Sequence, residues 1–264
     1  MRHFLPHFKE EGQLIEPFVG AGSVFLNTEF DRYLLCDINA DLINLYNTIK
    51  RQGKTFIGEA KSLFTPKTNC KTYYYQARER FNNSSCKDER SLLFLYLNRH
   101  GFNGLCRYSR NGFNVPFGSN KSPYFPEKEL NFFCQKAKRA KFICGDFSKA
   151  MKAAKAGDTV YCDPPYVPLS KTSHFTQYSG KVFLLEDQQK LAKLAEELKK
   201  NSITVLISNH DTEITRELYR KANKTQFIAA SRHISRDADT RRPTQEILAI
   251  YKPVEKKRRR KTLA

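Results

Sequence analysis

The feature that most constrains the fold is a set of short apolar segments, each ending in a loop of polar residues, prolines or glycines. Residues 14–15 lead into the loop 16–23, residues 33–36 lead into Asp37, and residues 159–162 lead into the loop 163–166. A fourth segment, residues 203–208, comes after a helical pattern over residues 186–200. Short strands that alternate with helices predict a mostly parallel sheet, in which ligands bind at the carboxyl ends of the strands. We therefore expect an α/β fold with a site where these segments end.

The middle of the chain has a different pattern. Helical stretches are followed by a segment rich in Gly, Asn and aromatic residues; the stretches are 54–64, 72–81 and 89–99, and the segment is 101–124. Asn111-Gly112 lies between Arg107-Tyr108 and residues 113–115, which predicts a β-hairpin. We predict an α/β domain at 1–45 and 127–253, an inserted helical and hairpin domain at 46–126, and a basic tail at 254–264.

The charge of the chain indicates a polyanionic partner. The formal net charge is +19, from 46 Lys and Arg against 27 Asp and Glu, and only six of the basic residues lie in the tail at 256–261. The excess is therefore spread over the folded part, as in nucleic-acid-binding proteins. Seven scattered cysteines without a CxxC pair favour reduced thiols and predict neither a disulfide framework nor a metal site. No apolar run is long enough for a membrane span and no secretory signal opens the chain, so we expect a cytoplasmic protein without membrane contact.

The quartet Asp163-Pro164-Pro165-Tyr166 is the most informative motif. The exocyclic amine of adenine is a poor nucleophile because its lone pair is delocalised into the ring. A site that makes it attack must accept hydrogen bonds from its N–H groups, and the Asp163 carboxylate and the Pro164 carbonyl can do so together. The two prolines stiffen the turn, and Tyr166 offers a flat face for the base. An ordinary Pro-Pro turn after a strand is the alternative interpretation.

The glycine loop at residues 20–22 and Asp37 indicate an adenosine-containing cofactor. Gly20 and Gly22 permit a tight turn and a close approach of backbone to ligand where a helix begins. Asp37 lies at the next strand end, where a carboxylate can bind both ribose hydroxyls. Phe25 stands where a dinucleotide fingerprint has its third glycine. The quartet favours a sulfonium methyl donor over a nicotinamide, because amine methylation requires such a donor.

Together these motifs resemble the Dam-type DNA adenine-N6 methyltransferases, from about residue 3 to Pro253. The stretches that carry the resemblance are 16–23, 97–108, 113–118, 163–166 and 207–211. The resemblance implies a Rossmann-like catalytic domain that uses S-adenosylmethionine, with an inserted target recognition domain. It also implies methylation of a flipped adenine in double-stranded DNA, with GATC as the target. We expect a monomer that associates with the nucleoid.

Position by position, the resemblance implies a donor site and a base site. The residues that would line the donor site are Phe18, Gly20, Gly22, Asp37 and Asp163, with Asp37 on the ribose. Those that would grip the flipped adenine are Asp163, Pro164 and Tyr166.

The resemblance also implies a set of DNA contacts. Phe102 would wedge between bases, Asn103 would contact a phosphate, Arg107 would read a guanine, and Leu105 and Pro116 would touch thymine, with Lys121 as a further contact. Packing inside the hairpin is the alternative for the three apolar residues, and phosphate binding is the alternative for Arg107. Relatives often have a bulkier basic and aromatic pair at the positions of residues 119–121.

Two further interpretations stay open at this point. The chain could methylate an amine of RNA or protein, or it could be a catalytically inactive DNA-binding form. Its first residues, Met1 to Pro6, resemble the stretch directly after a family segment similar to Lys-Trp-Ala-Gly-Gly-Lys, which contacts donor and DNA. We therefore expect weak donor binding and low activity from residues 1–264, restored when such a segment precedes Met1.

Overall fold

A computed structural model describes residues 5–8, 10–168, 177–178, 181–230 and 244–253. The strands are β1 Gln13–Glu16, β2 Arg32–Asp37, β3 Tyr108–Ser109, β4 Gly112–Phe113, β5 Ala140–Cys144, β6 Thr159–Cys162, β7 Gln177–Tyr178, β8 Lys181–Val182, β9 Thr204–His210, β10 Lys224–Ala230 and β11 Thr244–Tyr251. The helices are α1 Ser23–Leu26, α2 Ala40–Gln52, α3 Lys54–Ser62, α4 Lys71–Asn83, α5 Lys87–His100, α6 Glu127–Lys136, α7 Phe147–Lys152, α8 Leu185–Lys200 and α9 Glu213–Leu218.

Within these ranges the central sheet has seven strands in the order β10-β11-β9-β6-β1-β2-β5. Strands β9, β6, β1, β2 and β5 are parallel, and β11 is antiparallel to both of its neighbours. The chain builds the sheet outward from β1 through β2 to β5, and outward from β6 on the other side. The strand order therefore reverses between β1 and β6, and open α/β sheets bind ligands at such a point.

Helices cover both faces of the sheet, which explains the nearly continuous apolar character of its strands. Neighbouring residues of a strand point to opposite faces, so Leu14 belongs to one apolar cluster and Ile15 to another. The first cluster includes apolar residues of α2 to α6, and the second includes those of α7 and α8. The α8 helix buries Leu191, Leu194, Ala195 and Leu198, as its sequence pattern predicts.

The predicted hairpin forms between β3 and β4, and its turn is one residue earlier than the Asn-Gly pattern indicates. Ser109 pairs with Gly112, so Arg110 and Asn111 form the turn. Gly112 adopts a φ of 96°, which an L side chain rarely takes. Asn82 of α4 approaches closely: its side chain accepts from Phe113 N at 2.9 Å and donates to Phe113 O at 3.1 Å. A Cβ at residue 112 would lie 2.5 Å from Asn82 Oδ1, so this contact also requires glycine.

The structure confirms the α/β sheet, the helices of the middle region and the hairpin. The division into domains stays a prediction; helix α2 runs through the boundary at residue 45, and its side chains share one apolar cluster with those of α5. The predicted basic tail lies outside the described residues. No helix within the described ranges combines the length and apolar composition that a membrane span requires.

Candidate active site

A cavity of about 500 Å³ lies where the strand order reverses, at the carboxyl ends of β1 and β6. It is lined by the loop after β1, by the end of β2, by the Asp163 to Tyr166 turn after β6 and by Phe183. Its volume is within the range of about 300–1,000 Å³ that small-molecule sites occupy. The structure thus brings the predicted glycine loop, Asp37 and the quartet together at one site.

The loop after β1 is folded against Asp37. Gly20 N donates to Asp37 Oδ2 at 3.0 Å, and Asn39 N donates to Oδ1 at 2.9 Å, so both carboxylate oxygens are oriented by backbone. Gly20 has a φ of 46°, and the Tyr46 hydroxyl donates to its carbonyl at 2.6 Å. Burial raises the pKa of Asp37, and the backbone donors oppose that rise. The loop therefore presents an oriented carboxyl group at the cavity wall.

The other two predicted residues of this loop, Phe18 and Gly22, differ in whether they line the cavity. Phe18 is half-buried in the cavity wall and stacks on Phe147, with ring centroids 5.3 Å apart. Gly22 is not part of the described lining. It is buried at the start of α1 with a φ of 72°, and a Cβ there would meet Phe25 and Val19. Gly22 therefore shapes the turn into α1, while Phe18, Gly20 and Ala21 face the cavity.

The turn after β6 places Asp163, Pro164, Pro165 and Tyr166 along one wall of the cavity. The Asp163 side chain opens to the cavity, and the Ser208 hydroxyl donates to its Oδ1 at 2.9 Å. The protein around the carboxyl group raises the pKa of Asp163 by desolvation, whereas hydrogen bonds from Ser208 and Tyr166 lower it. The arrangement provides an oriented acceptor beside an aromatic ring.

Glu16 is a site residue that the sequence interpretation missed. It ends β1, is 2% exposed and lines the cavity. Its Oε1 atom has no hydrogen-bond partner among the described residues. Burial raises the pKa of Glu16 from 4.5 to about 8, and the nearby Asp163 contributes to the rise. A buried polar atom is normally satisfied, so the unpaired oxygen indicates a ligand group in the cavity. Its position directly before the Pro-Phe-x-Gly loop was the available signal.

The cavity is acidic although the chain as a whole is strongly basic. Its described lining includes no Lys or Arg, and its carboxyl side chains are Glu16, Asp37, Asp146, Asp163 and Asp187. Lys190, outside that lining, lies 3.1 Å from Asp146 and offsets one of these charges. Such a lining attracts a cation and repels phosphate groups.

The predicted DNA-binding residues form an exposed set on the segment between α5 and α6. Phe102, Asn103, Leu105, Arg107, Pro116 and Lys121 are all exposed. Phe102 N donates to Pro116 O at 2.9 Å, which places the first and second halves of the segment side by side. The side chains of Phe102 and Leu105 are 41% and 44% exposed. Packing inside the hairpin therefore does not explain the apolar members.

Arg107 is oriented by its own hairpin, and its two chain neighbours bond to residues that closely follow Asp37. Its Nε donates to Asn114 Oδ1 at 2.8 Å and its Nη2 donates to Asn114 O at 3.1 Å. The Tyr108 hydroxyl donates to Asp41 Oδ2 at 2.7 Å. On the other side, Asn39 Nδ2 donates to Cys106 Sγ at 3.3 Å. Arg107 thus lies between two residues that contact the region directly after Asp37.

Comparisons with known proteins agree with this arrangement. The family model for D12 class N6 adenine-specific DNA methyltransferases matches residues 1–234. The chain is 54% identical to the DNA adenine methylase of Vibrio cholerae serotype O1 over 249 residues, which cover 94% of this chain and 90% of that protein. It is 53% identical to the DNA adenine methylase of Escherichia coli strain K12, and 52% identical to that of Salmonella typhi, with 94% of this chain and 89% of each relative covered.

Proposed function

Because the chain belongs to the D12 class family of N6 adenine-specific DNA methyltransferases, we propose that it takes its methyl group from S-adenosylmethionine bound in the acidic cavity. The enzyme methylates adenine N6 in DNA, so the interpretation as an RNA or protein methyltransferase is set aside. We further propose that the methylated adenine belongs to GATC in double-stranded DNA. The lining of the cavity is the observation that carries the choice of donor.

S-adenosylmethionine fits this lining because it carries a sulfonium and an ammonium group. The unpaired Oε1 of Glu16 can accept from the ammonium, and Asp37, whose oxygens are already oriented by Gly20 and Asn39, can accept from the ribose hydroxyls. A nicotinamide dinucleotide would bring an anionic pyrophosphate among these carboxyl groups. The residues present therefore suit a cationic donor, which when bound supplies an electrophilic methyl group.

The turn after β6 activates the amine. The Asp163 carboxylate and the Pro164 carbonyl accept hydrogen bonds from the N6 group, and they stabilise the positive charge that develops on nitrogen during attack. Ser208 and Tyr166 donate to the Asp163 carboxylate, whose remaining lone pairs can accept from the amine. Tyr166, with its ring beside His210 at 4.8 Å, presents a face to the adenine. No proton needs to leave the amine before attack, so Asp163 acts as an acceptor and not as a base.

The exposed segment between α5 and α6 reads the DNA. The target amine is inaccessible inside the stack, so the adenine must flip into the cavity while the duplex stays outside. Phe102 fills the gap between bases, Leu105 and Pro116 contact thymine, Asn103 and Lys121 contact the backbone, and Arg107 reads a guanine through O6 and N7. Their common exposure supports these roles.

The test compares donors and substrates. Calorimetry should show binding of S-adenosylmethionine and much weaker binding of a nicotinamide dinucleotide. Labelled methyl groups should enter a duplex that contains GATC and not a duplex with one base pair of the site replaced. Asp163→Asn should lower the rate by about 10²–10³-fold with little change in DNA affinity, since phosphate contacts dominate that affinity. Asp88→Asn, in an exposed ion pair of α5, is the control.

Each part of the proposed function can be refuted separately. Equal binding of the two cofactors would overturn the electrostatic choice of donor. Equal methylation of the altered duplex would overturn GATC as the target. A normal rate in Asp163→Asn would remove Asp163 from the mechanism. If the wild-type chain binds DNA but neither binds donor nor transfers methyl groups, the inactive DNA-binding interpretation holds for residues 1–264.

A further inference from the structure

Three consecutive residues at the end of β9 hold the turn that carries Asp163. Ser208, Asn209 and His210 are 1%, 0% and 7% exposed, so none of them is placed to contact DNA. The Ser208 hydroxyl donates to Asp163 Oδ1 at 2.9 Å and lies 3.2 Å from the Tyr161 hydroxyl. It therefore fixes the rotation of the carboxylate relative to the strand.

Asn209 holds the far end of the turn. Its Oδ1 accepts from Val167 N at 2.9 Å, and its Nδ2 donates to Gln188 Oε1 at 3.1 Å and to the Tyr219 hydroxyl at 3.0 Å. Gln188, itself fully buried on α8, donates from Nε2 to Pro165 O at 2.8 Å. The buried amides thus determine the path of the backbone on both sides of Tyr166.

His210 completes the contact. Its Nδ1 is 2.8 Å from Val167 O, and a carbonyl only accepts, so Nδ1 carries the proton. The ring meets that of Tyr166 edge to face, with centroids 4.8 Å apart and an interplanar angle of 79°. His210 therefore fixes both the backbone after Tyr166 and the orientation of its ring.

We propose that Ser208, Asn209 and His210 are positioning residues for methyl transfer, which act through Asp163 and Tyr166 without touching the adenine or the donor. The inference rests on the proposed roles of Asp163 and Tyr166. Prolines stiffen the turn locally, yet a turn of this kind can still rotate as a body. Bonds from β9 and α8 to its residues remove that freedom, and misplacement of an acceptor by about 1 Å can cost on the order of 100-fold in rate.

The experiment measures single-turnover methyl transfer by the full chain with a GATC duplex at saturating S-adenosylmethionine. Ser208→Ala should lower the rate by roughly 10- to 100-fold, the effect of one hydrogen bond to a charged group, while the Kd values for donor and DNA change less than about threefold. Ser91→Ala is the matched control: Ser91 is 0% exposed and bonds to Thr48 and Lys87 on the far side of the core. The control should retain the wild-type rate even if its melting temperature falls.

A double-mutant cycle separates positioning from general destabilisation. In an Asp163→Asn background, Ser208→Ala should cost less than about threefold, because the group that it positions has already changed. The Asn side chain in His210→Asn can still donate to Val167 O. This variant should therefore have a higher methyl-transfer rate than His210→Ala when the two have equal melting temperatures. Fluorescence of 2-aminopurine at the target should stay bright in Ser208→Ala, since flipping precedes the chemical step.

The outcomes distinguish this inference from the proposed function. A normal rate in Asp163→Asn would refute the role of Asp163, and the inference with it. A large loss in Asp163→Asn with a normal rate in Ser208→Ala would refute only the inference. Multiplicative losses in the double variant, or equal rates in His210→Asn and His210→Ala, would show that β9 acts through stability and not through the position of the turn.

Discussion

Glu16→Gln tests the electrostatics of the cavity most directly. Burial raises the pKa of Glu16 from 4.5 to about 8, so the folded protein favours its neutral form. A group with a raised pKa contributes its full stability below its unfolded pKa and loses it as the pH rises through the folded pKa. The wild-type protein should therefore lose stability between about pH 4.5 and pH 8. Glutamine has nearly the shape of the neutral acid and does not ionise, so this loss should disappear in the variant.

The size of the effect can be worked from the pKa. At 1.36 kcal/mol for each tenfold change in the ionisation constant, the rise in the pKa of Glu16 corresponds to about 5 kcal/mol as an upper limit. That is a large part of the free energy of unfolding of a typical domain, which is roughly 5–15 kcal/mol. Relative to wild type, Glu16→Gln should gain up to about 5 kcal/mol of unfolding free energy between pH 5 and pH 9.

Urea unfolding at several pH values, without donor, measures this difference. Glu59→Gln, at an exposed position on α3, is the matched control and should parallel wild type. Above about pH 8, where Glu16 is ionised, the same Glu16→Gln protein should bind S-adenosylmethionine roughly 10- to 100-fold more weakly, since it lacks the carboxylate for the ammonium group. Parallel stability curves for wild type and Glu16→Gln would refute the raised pKa. An unchanged donor affinity would remove Glu16 from the donor site.

Three other substitutions test the recognition segment. Arg107→Ala should reduce discrimination at one base pair of the site by about 1–3 kcal/mol, measured by competitive methylation. A uniform loss of DNA affinity on all sequences, with a shallower salt dependence, would instead make Arg107 a phosphate contact. Tyr108→Phe removes the hydrogen bond to Asp41 and should lower the ratio of methylation rates on cognate and non-cognate duplexes, with Tyr73→Phe as control. An unchanged ratio would show that Asp41 does not align the hairpin. Gly112→Ala should cost about 1–3 kcal/mol in thermal unfolding, because of its φ of 96° and the contact with Asn82, and an unchanged melting temperature would contradict that strain.

The sequence predicted the elements whose signals are local. Each of the four strand segments is a strand of the sheet, and Asp37 and Asp163 lie at the ends of β2 and β6 as parallel topology requires. The turn of the hairpin was misplaced by one residue. Its position depends on Asn82, which is about thirty residues away in the chain and bonds to Phe113. An Asn-Gly pair favours a tight turn but does not determine which two residues form it.

The residues that sequence reasoning missed are those whose role depends on burial. In the sequence, Glu16 is the first polar residue after an apolar pair, which is what an ordinary loop entry looks like. Only the packed structure shows that it is buried in the cavity wall and that its Oε1 atom has no hydrogen-bond partner among the described residues. Ser208, Asn209 and His210 contributed to the resemblance but carried no assigned role, because the residues of the turn after β6 that they contact are more than forty residues earlier in the chain. For Gly22 the donor role stays a prediction; the structure places this residue in the turn into α1 and outside the described cavity lining.

The opposite charges of the cavity and the whole chain agree with the proposed entry of a base alone into the site. A net charge of +19 attracts the phosphate backbone to the surface, whereas the carboxyl groups of the cavity repel phosphates from its interior. In the proposed mechanism, the uncharged base of a nucleotide therefore enters the cavity while its phosphates stay outside. Within the cavity, Asp163 and the Pro164 carbonyl only accept hydrogen bonds once Asp163 is ionised, so they favour an exocyclic amine and repel the carbonyl oxygen of thymine or guanine. Under the proposed mechanism, the acidic cavity therefore attracts a cationic donor, and Asp163 within it selects a base that carries an exocyclic amine.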